Sequence, residues 1–250
     1  CPENWDARSR MSLTVATYFW YEPDTKFSAN YVYIPDDVRL LQRMVKRNLT
    51  VPHEFVVITD RPQLFDGDEE IRAVPIDWAK HVPGTCYVRL MTFSPAAREL
   101  IGERVLQLDL DCVIVGNLDD LVNRDEDIVL WHNPRRIPWD GPDADPRLPW
   151  YNTSILLHKC GTMTEIWKEF DPSNVRFRDD QWWISAKLGP DMPYWDRADG
   201  IYRNLIPNRP GTGVQGELPE NAKIVFFPGS AGKAHDAHMI EANPWIKEHR

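Results

Sequence analysis

The alternation of apolar and polar positions predicts most of the elements in the first half of the chain. Residues 13–19, Leu-Thr-Val-Ala-Thr-Tyr-Phe, are rich in β-branched and aromatic side chains and read as a first strand. A helix is predicted over 36–49. Pro35 and Asp36 open it, and Val38, Leu41, Val45 and Leu49 recur at three-to-four spacing. The run 55–59 is apolar except at its last residue, as in a strand buried on both faces, and 71–76 is a third strand. A short helix is expected at 88–93. Pro95 at a first helical position opens another that runs to Ile101 and stops at Gly102. Further strands are predicted at 105–108, 128–131, 154–157 and 224–227, and helices at 164–170 and 180–188. Strand and helix alternate through the first 110 residues, which is the signature of a mostly parallel sheet covered by helices. Two stretches, 133–149 and 189–219, are dense in Pro, Asp, Arg and Gly and read as long loops, which in a compact protein are commonly binding loops.

Composition narrows the function classes. At 250 residues the chain is long enough for a sizeable core, and with 42% apolar and 27% charged residues it is an ordinary globular sequence. The net charge of −9 argues against binding nucleic acid or anionic membrane by bulk attraction. No apolar run approaches the roughly 20 residues of a membrane span, so no span is expected and the chain reads as cytoplasmic. Cys1, Cys86, Cys112 and Cys160 lack zinc-site spacing and read as free thiols. The surplus is in Trp, with 11; Trp139, Trp150, Trp182, Trp183 and Trp195 lie in or near the two long loops. Sugars present C–H faces that stack on indole, so one or two of these are candidates for an acceptor platform.

The most informative run is 105–115, where Asp109-Leu110-Asp111 follows one apolar strand and precedes another apolar run. Asp-x-Asp occurs four times in the chain, and about two are expected by chance, so the pattern alone is weak. Only the 109/111 pair has these flanks; the others lie in polar turns. Ligands of open α/β sheets bind at the carboxyl ends of strands, and paired carboxylates there suit Mg²⁺ or Mn²⁺ bridging phosphate oxygens.

In these flanks the chain resembles the GT-A glycosyltransferases, in particular the retaining glycogenin-like and lipooligosaccharide galactosyltransferase-like group. Leu108-Asp109-Leu110-Asp111 with Val113-Ile114-Val115 and Leu118-Asp119-Asp120-Leu121 is similar to its Asp-x-Asp block. Tyr87-Val88-Arg89-Leu90 resembles its Tyr-x-Arg-Leu helix start, and Tyr151-Asn152-Thr153-Ser154 its Asn-bearing strand. Asp179-Asp180-Gln181 resembles its Asp-Gln motif, and the stretch from Val225 to Gly229, followed by Lys233, its closing loop. The matches keep their order over residues 13–235.

The resemblance implies an α/β fold of GT-A type: one domain with a mixed, mostly parallel central sheet flanked by helices. Residues 11–130 would form the nucleotide-binding half and 131–250 the acceptor-side and closing half. It implies a nucleotide-sugar donor, most naturally a UDP-sugar, with Mn²⁺ or Mg²⁺ on Asp109 and Asp111, and transfer with retention. Arg89, Leu110 and Asn152 would face the donor, Gly229 and Lys233 would close over its diphosphate, and Asp180 and Gln181 would lie beside the reacting carbon. Thr17 and Tyr18, at the end of the first strand, are placed to hold base and ribose. The family's third metal ligand is a His where Phe226 stands here, and His235 is the substitute nearest in sequence. Ala234 stands at the family's Pro, and Met91 at its Lys-like position.

The acceptor is a saccharide, or a hydroxymethylated base in DNA as in compact phage-like transferases of a bacterial or phage-infected cell. For DNA, the cations would be Arg39, Arg43, Lys46 and Arg47, or Arg135, Arg136 and Arg147. Two other classes compete. A Mg²⁺-dependent phosphatase or nucleotidyltransferase could use the same Asp pair, but phosphatases of this type carry it on the first strand. A non-catalytic sugar-binding protein would use Trp and Asp without the ordered Arg89, Asn152, Gln181 and Gly229. His235-Asp236-Ala237-His238 has the spacing of a metal pair and reads as a surface turn. Oligomeric state is left open.

Overall fold

The structure is a computed structural model that describes residues 13–20, 33–76, 86–136, 147–204, 214–228 and 232–250. β1 (Leu13–Phe19) is buried along its whole length and pairs in parallel with β2 (His53–Thr59) on one side and β4 (Arg104–Leu108) on the other. β3 (Arg72–Pro75) adds to the outer edge of β2. Beyond β4, β7 (Tyr151–Lys159) runs antiparallel, β6 (Ile128–His132) antiparallel to β7, and β8 (Tyr194–Trp195) parallel to β6. The seven-stranded order is β3-β2-β1-β4-β7-β6-β8, a mixed sheet whose first four strands are parallel. A second sheet of three strands, β5 (Cys112–Ile114), β10 (Ile224–Phe226) and β9 (Ile201–Arg203), lies in the order β5-β10-β9.

α1 (Pro35–Asn48) packs on β1 and β5 through Val38, Leu41, Met44 and Val45, the three-to-four stripe expected of an amphipathic helix. Its ends suit the helix dipole, with Asp36 and Asp37 in the first turn and Lys46 and Arg47 in the last. The Asp37 carboxylate accepts the Ile34 N–H at 3.0 Å. Apolar residues cluster on both faces of the large sheet, one cluster under α1 and the other under residues 86–101 and α5 (Asp180–Leu188).

Several elements differ from expectation. Residues Cys86–Phe93 form a 3-10 helix, and α2 (Ala97–Leu100) starts two residues after Pro95, which lies in a turn. β7 is nine residues long because it lies between β4 and β6, and its polar side chains find partners, Thr153 on Asp180 and His158 on Thr92. The stretch 189–219 is not a continuous loop; it contains β8, a 3-10 turn at Arg197–Asp199 and β9. A 3-10 turn at Pro62–Phe65 and the short helices α3 (Asp119–Val122), α4 (Glu165–Lys168), α6 (Ala237–Ala242) and α7 (Ile246–His249) complete the described elements. Cys86, Cys112 and Cys160 are free thiols, whereas Cys1 lies outside the described residues. No helix among the described residues is long and apolar enough to cross a membrane.

The central strand, β4, is buried along its whole length. Leu106 on β4 is fully buried, whereas Leu100 on α2 is 37% exposed. Leu106→Ala is expected to cost about 2–5 kcal/mol and Leu100→Ala at most about 0.5 kcal/mol, read by urea unfolding. Equal losses would contradict this packing.

Candidate active site

β4 ends at Leu108, and the chain turns through Asp109-Leu110-Asp111 before entering β5. That turn carries the backbone from the large sheet to the small one. It is pinned at both ends: Asp109 N–H donates to Ser154 O at 2.8 Å, and Phe227 N–H donates to Asp111 O at 2.7 Å. The two carboxylates therefore sit on fixed backbone at the carboxyl end of a parallel strand.

Arg89 organises the first carboxylate. Its Nη1 donates to both oxygens of Asp109, at 2.6 and 2.8 Å, and its Nη2 donates to Asp180 Oδ1 at 2.7 Å. Thr153 of β7 donates its hydroxyl to Asp180 Oδ2 at 2.8 Å. Asp179 caps α5 by accepting the Trp182 N–H, so Asp180 falls in the first turn, fully buried. Burial works against the charge on Arg89, but Asp109 and Asp180 overcome it and hold its pKa well above the ordinary value. Burial is also the main influence on Asp180, reinforced by Asp179 and opposed by Arg89, and it pushes this carboxyl up to about 6.

Asp111 is held from the other side. Lys233 Nζ donates to Asp111 Oδ2 and to Phe227 O, both at 2.9 Å, and lies 5.8 Å from the Tyr33 ring centroid. Gly232, next to Lys233, has φ 155°, a conformation that favours glycine, and a Cβ there would push against the Met239 side chain of α6 at 2.7 Å. Burial raises the Asp111 pKa against the pull of Lys233. Asp111 Oδ1 is buried and accepts no hydrogen bond. Tyr33, Leu110, Asp111, Lys233, His235 and Arg250 line a pocket beside this carboxylate.

The remaining candidates are distributed unevenly. Thr17 is fully buried, and its hydroxyl donates to Leu108 O at 2.8 Å, fastening β1 to the end of β4. Tyr18 is buried behind the site and donates to Arg89 O at 3.3 Å. Asn152 is partly exposed on β7, with Oδ1 accepting Ser154 N–H at 2.8 Å. Gln181 is partly exposed beside Asp180. Gly229 and Trp139 lie outside the described residues. His235 faces Asp236 at 3.4 Å, and His238 is exposed on α6. Trp183 and Trp195 are structural: Trp183 donates to Ile166 O at 2.8 Å and packs on Phe170 and Phe177, and Trp195 is fully buried. Trp150 is partly exposed under the Arg136 guanidinium, 3.4 Å from its centroid.

Sequence reasoning named Arg89, Asp109 and Asp180 separately and missed Thr153; the Thr after Asn152 carries no signal beyond its place on an inward-facing strand. The third position of the metal set differs more sharply. Phe226 is fully buried and stacks on Trp131 at 5.0 Å. Among the described residues no three His, Cys, Asp or Glu side chains come together as a metal-binding group. What the chain does offer a hard divalent ion is a pair of carboxylates, one with a buried oxygen that nothing satisfies, and this fits an ion whose other ligands come from a bound diphosphate.

Two predictions follow from the buried pair. Arg89→Met strands Asp180 without a cation and is expected to destabilise by about 3–5 kcal/mol, against about 1–2 kcal/mol for Thr153→Ala, by chemical denaturation. Because the folded pKa of Asp180 is raised, its contribution to stability is full below about pH 4 and is lost as pH rises through about 6. Between those limits wild type should lose stability relative to Asp180→Asn. A difference that is flat over pH 4–6.5 would contradict the assignment.

No family model and no curated protein matches the sequence. Solved structures do. The chain superposes on a galactosyltransferase LgtC in complex with donor and acceptor sugar analogues, with TM-score 0.56 and 15% identity over 94% of each chain. An active-site variant of LgtC gives TM-score 0.55 and 13% identity over 90% of each chain. The apo bifunctional glycosyltransferase WbbM gives TM-score 0.55 and 10% identity, covering 95% of this chain and 51% of that one. With its mixed seven-stranded sheet and the Asp-Leu-Asp turn at the end of β4, the chain has the GT-A glycosyltransferase fold.

Proposed function

We propose that this chain is a glycosyltransferase that moves a sugar from a nucleoside-diphosphate sugar to an acceptor hydroxyl. The observation that carries the reading is the chain of charges Asp180–Arg89–Asp109 set beside Asp111–Lys233, two cations and three carboxylates brought to one strand end from distant parts of the chain. The resemblance points to a UDP-sugar, hexosyl or pentosyl, and to retention of configuration. The nucleotide-binding work falls to residues 11–130 and the acceptor and closing work to 131–250 of one domain.

Transfer breaks the bond between the anomeric carbon and the diphosphate, and negative charge gathers on the leaving oxygen. Lys233, on a short loop between β10 and α6, carries the cation best placed to meet that charge once it leaves Asp111. Arg89 holds Asp109 and Asp180 in fixed positions, so that neither carboxylate reorganises as charge moves. Gln181, partly exposed one residue beyond Asp180, and Asn152, whose amide nitrogen remains available, supply polar contacts for sugar hydroxyls. Asp109 and Asp111 would hold Mn²⁺ or Mg²⁺, which supplies Lewis-acid stabilisation of the departing diphosphate. His235, in the pocket beside Asp111, is the side chain available to extend that set.

A saccharide is the better acceptor reading than DNA, because much of the basic flank of α1 is already engaged. Arg39 is bound to Asp36 and Asp68, and Lys46 to Glu70. The decisive assay presents a panel of nucleotide-sugars with Mn²⁺, with and without EDTA, and follows donor hydrolysis and binding. UDP-sugars should turn over with the metal, and both EDTA and Asp111→Asn should reduce the rate by about a hundredfold or more. If no donor binds or reacts, and Asp111→Asn changes nothing, the proposal is wrong.

A further inference from the structure

Arg89 and Arg203 both bury an Nε without an acceptor, but of the two, among the described residues, only Arg89 is paired with carboxylates. Arg203 closes β9, and its register partner is Phe226, which in turn pairs with Cys112, the residue after Asp111. Two strand spacings therefore separate its backbone from the Asp-Leu-Asp turn, roughly 10 Å. In-register neighbours present their side chains to the same face of a sheet, so Arg203 and Phe226 point the same way. Phe226 stacks on Trp131, and Trp131 pairs in register with Trp195. Four residues past Trp131, beyond the end of β6, comes Arg135, which is exposed.

Among the described residues nothing compensates the charge of Arg203. Its Nε is buried and meets no acceptor, while the residue as a whole stays partly exposed. Among the described residues it forms no ion pair, and the charge that acts on it is the like charge of Arg135. Burial lowers its pKa and Arg135 lowers it further, with no acid opposing them. The Trp195 indole N–H, at the other end of the same row of rings, is also buried without an acceptor. A partly exposed guanidinium with an enclosed Nε and, among the described residues, no acid to pair with is a costly arrangement for an empty protein and a good one for an oxyanion. Its planar fork matches phosphate oxygens two at a time.

We infer that Arg203, assisted by Arg135, binds a phosphoryl group carried by the acceptor, so that the acceptor is a phosphorylated saccharide. The inference rests on the glycosyltransferase reading and specifies its second substrate. The geometry separates this site from the donor diphosphate, which Lys233 and the Asp pair meet on the β5 side of the small sheet, whereas Arg203 lies on its β9 edge. One guanidinium fork is enough for a single phosphoryl group, whereas a duplex would need a row of free cations along the surface.

The test is calorimetric titration of the full chain, with UDP at saturation to fill the donor pocket. The probes are inorganic phosphate, glucose 6-phosphate, glucose and a twelve-base-pair duplex. Wild type should bind glucose 6-phosphate at least tenfold more tightly than glucose. That preference should vanish in Arg203→Gln, persist in part in Arg203→Lys, which keeps the charge but not the fork, and survive in the surface control Arg43→Gln. Inorganic phosphate should follow the same order, and thermal unfolding checks that each variant is folded. Equal affinity for glucose and glucose 6-phosphate in wild type overturns the inference, as does a preference unchanged in Arg203→Gln. Binding of the duplex with loss in Arg203→Gln overturns the saccharide assignment in favour of DNA. Failure of UDP to bind wild type counts against the glycosyltransferase reading, while the phosphate arm, run on the free chain, still scores Arg203 separately.

Discussion

A single guanidinium buried at the end of the central strand ties the molecule together. Arg89 is 5% exposed, and both its charge partners are carboxylates from elements remote in sequence. Burying an ion pair is expensive, and it persists only where the geometry is good and the remaining hydrogen bonds are made. Here the carboxylate side is well served, since Thr153 satisfies the far oxygen of Asp180 and Asp109 receives two contacts from one nitrogen, while the Arg89 Nε is buried without an acceptor. The 3-10 segment, the turn after β4, β7 and the start of α5 are consequently held in one register. In other proteins, apolar replacement of such buried ion clusters is often neutral or stabilising, so the cluster is better understood as fixing positions than as a source of stability.

The same logic applies to Lys233 and Asp111, with a difference in burial. Their side chains are 13% and 12% exposed, and the pair opens onto the pocket under Tyr33 and His235. A cation resting on a carboxylate with one unsatisfied oxygen is less locked than Arg89, whose two partners surround it. The Arg89 pair is the more tightly held, and the Lys233–Asp111 pair is the one with room to exchange partners.

Much of the fold was legible in the sequence where local and tertiary demands coincide. β1 spans the expected residues because every position from Leu13 to Phe19 is buried, and α5 spans 180–188 because Asp179 caps it and Gly189 ends it. β7 was read too short, since its ends carry Asn152, Thr153 and His158, polar residues that only ladder and side-chain partners make acceptable in a strand. Residues 237–249 hold two helices of six and four residues, too short for a periodicity to emerge. The Asp-Leu-Asp turn could be singled out from its apolar flanks. Its tie to Arg89 and Asp180 could not, because partners 20 and 91 residues apart leave no periodic trace. Arg203 was invisible for the opposite reason: its signal is a missing partner, which only coordinates reveal.

The turn at 109–111 joins two separate sheets, and this has a mechanical corollary. Asp109 is anchored to β7 of the large sheet, whereas Asp111 is anchored to Phe227, which continues β10 of the small one. Each carboxylate thus reports the position of a different slab. A slide of the small sheet by a fraction of an ångström would leave Asp109, Arg89 and Asp180 in place while carrying Asp111, and the backbone that bears Arg203, with it. The spacing between the two carboxylates is therefore a gauge of how the slabs are seated, and the single residue Leu110 is the leaf spring between them.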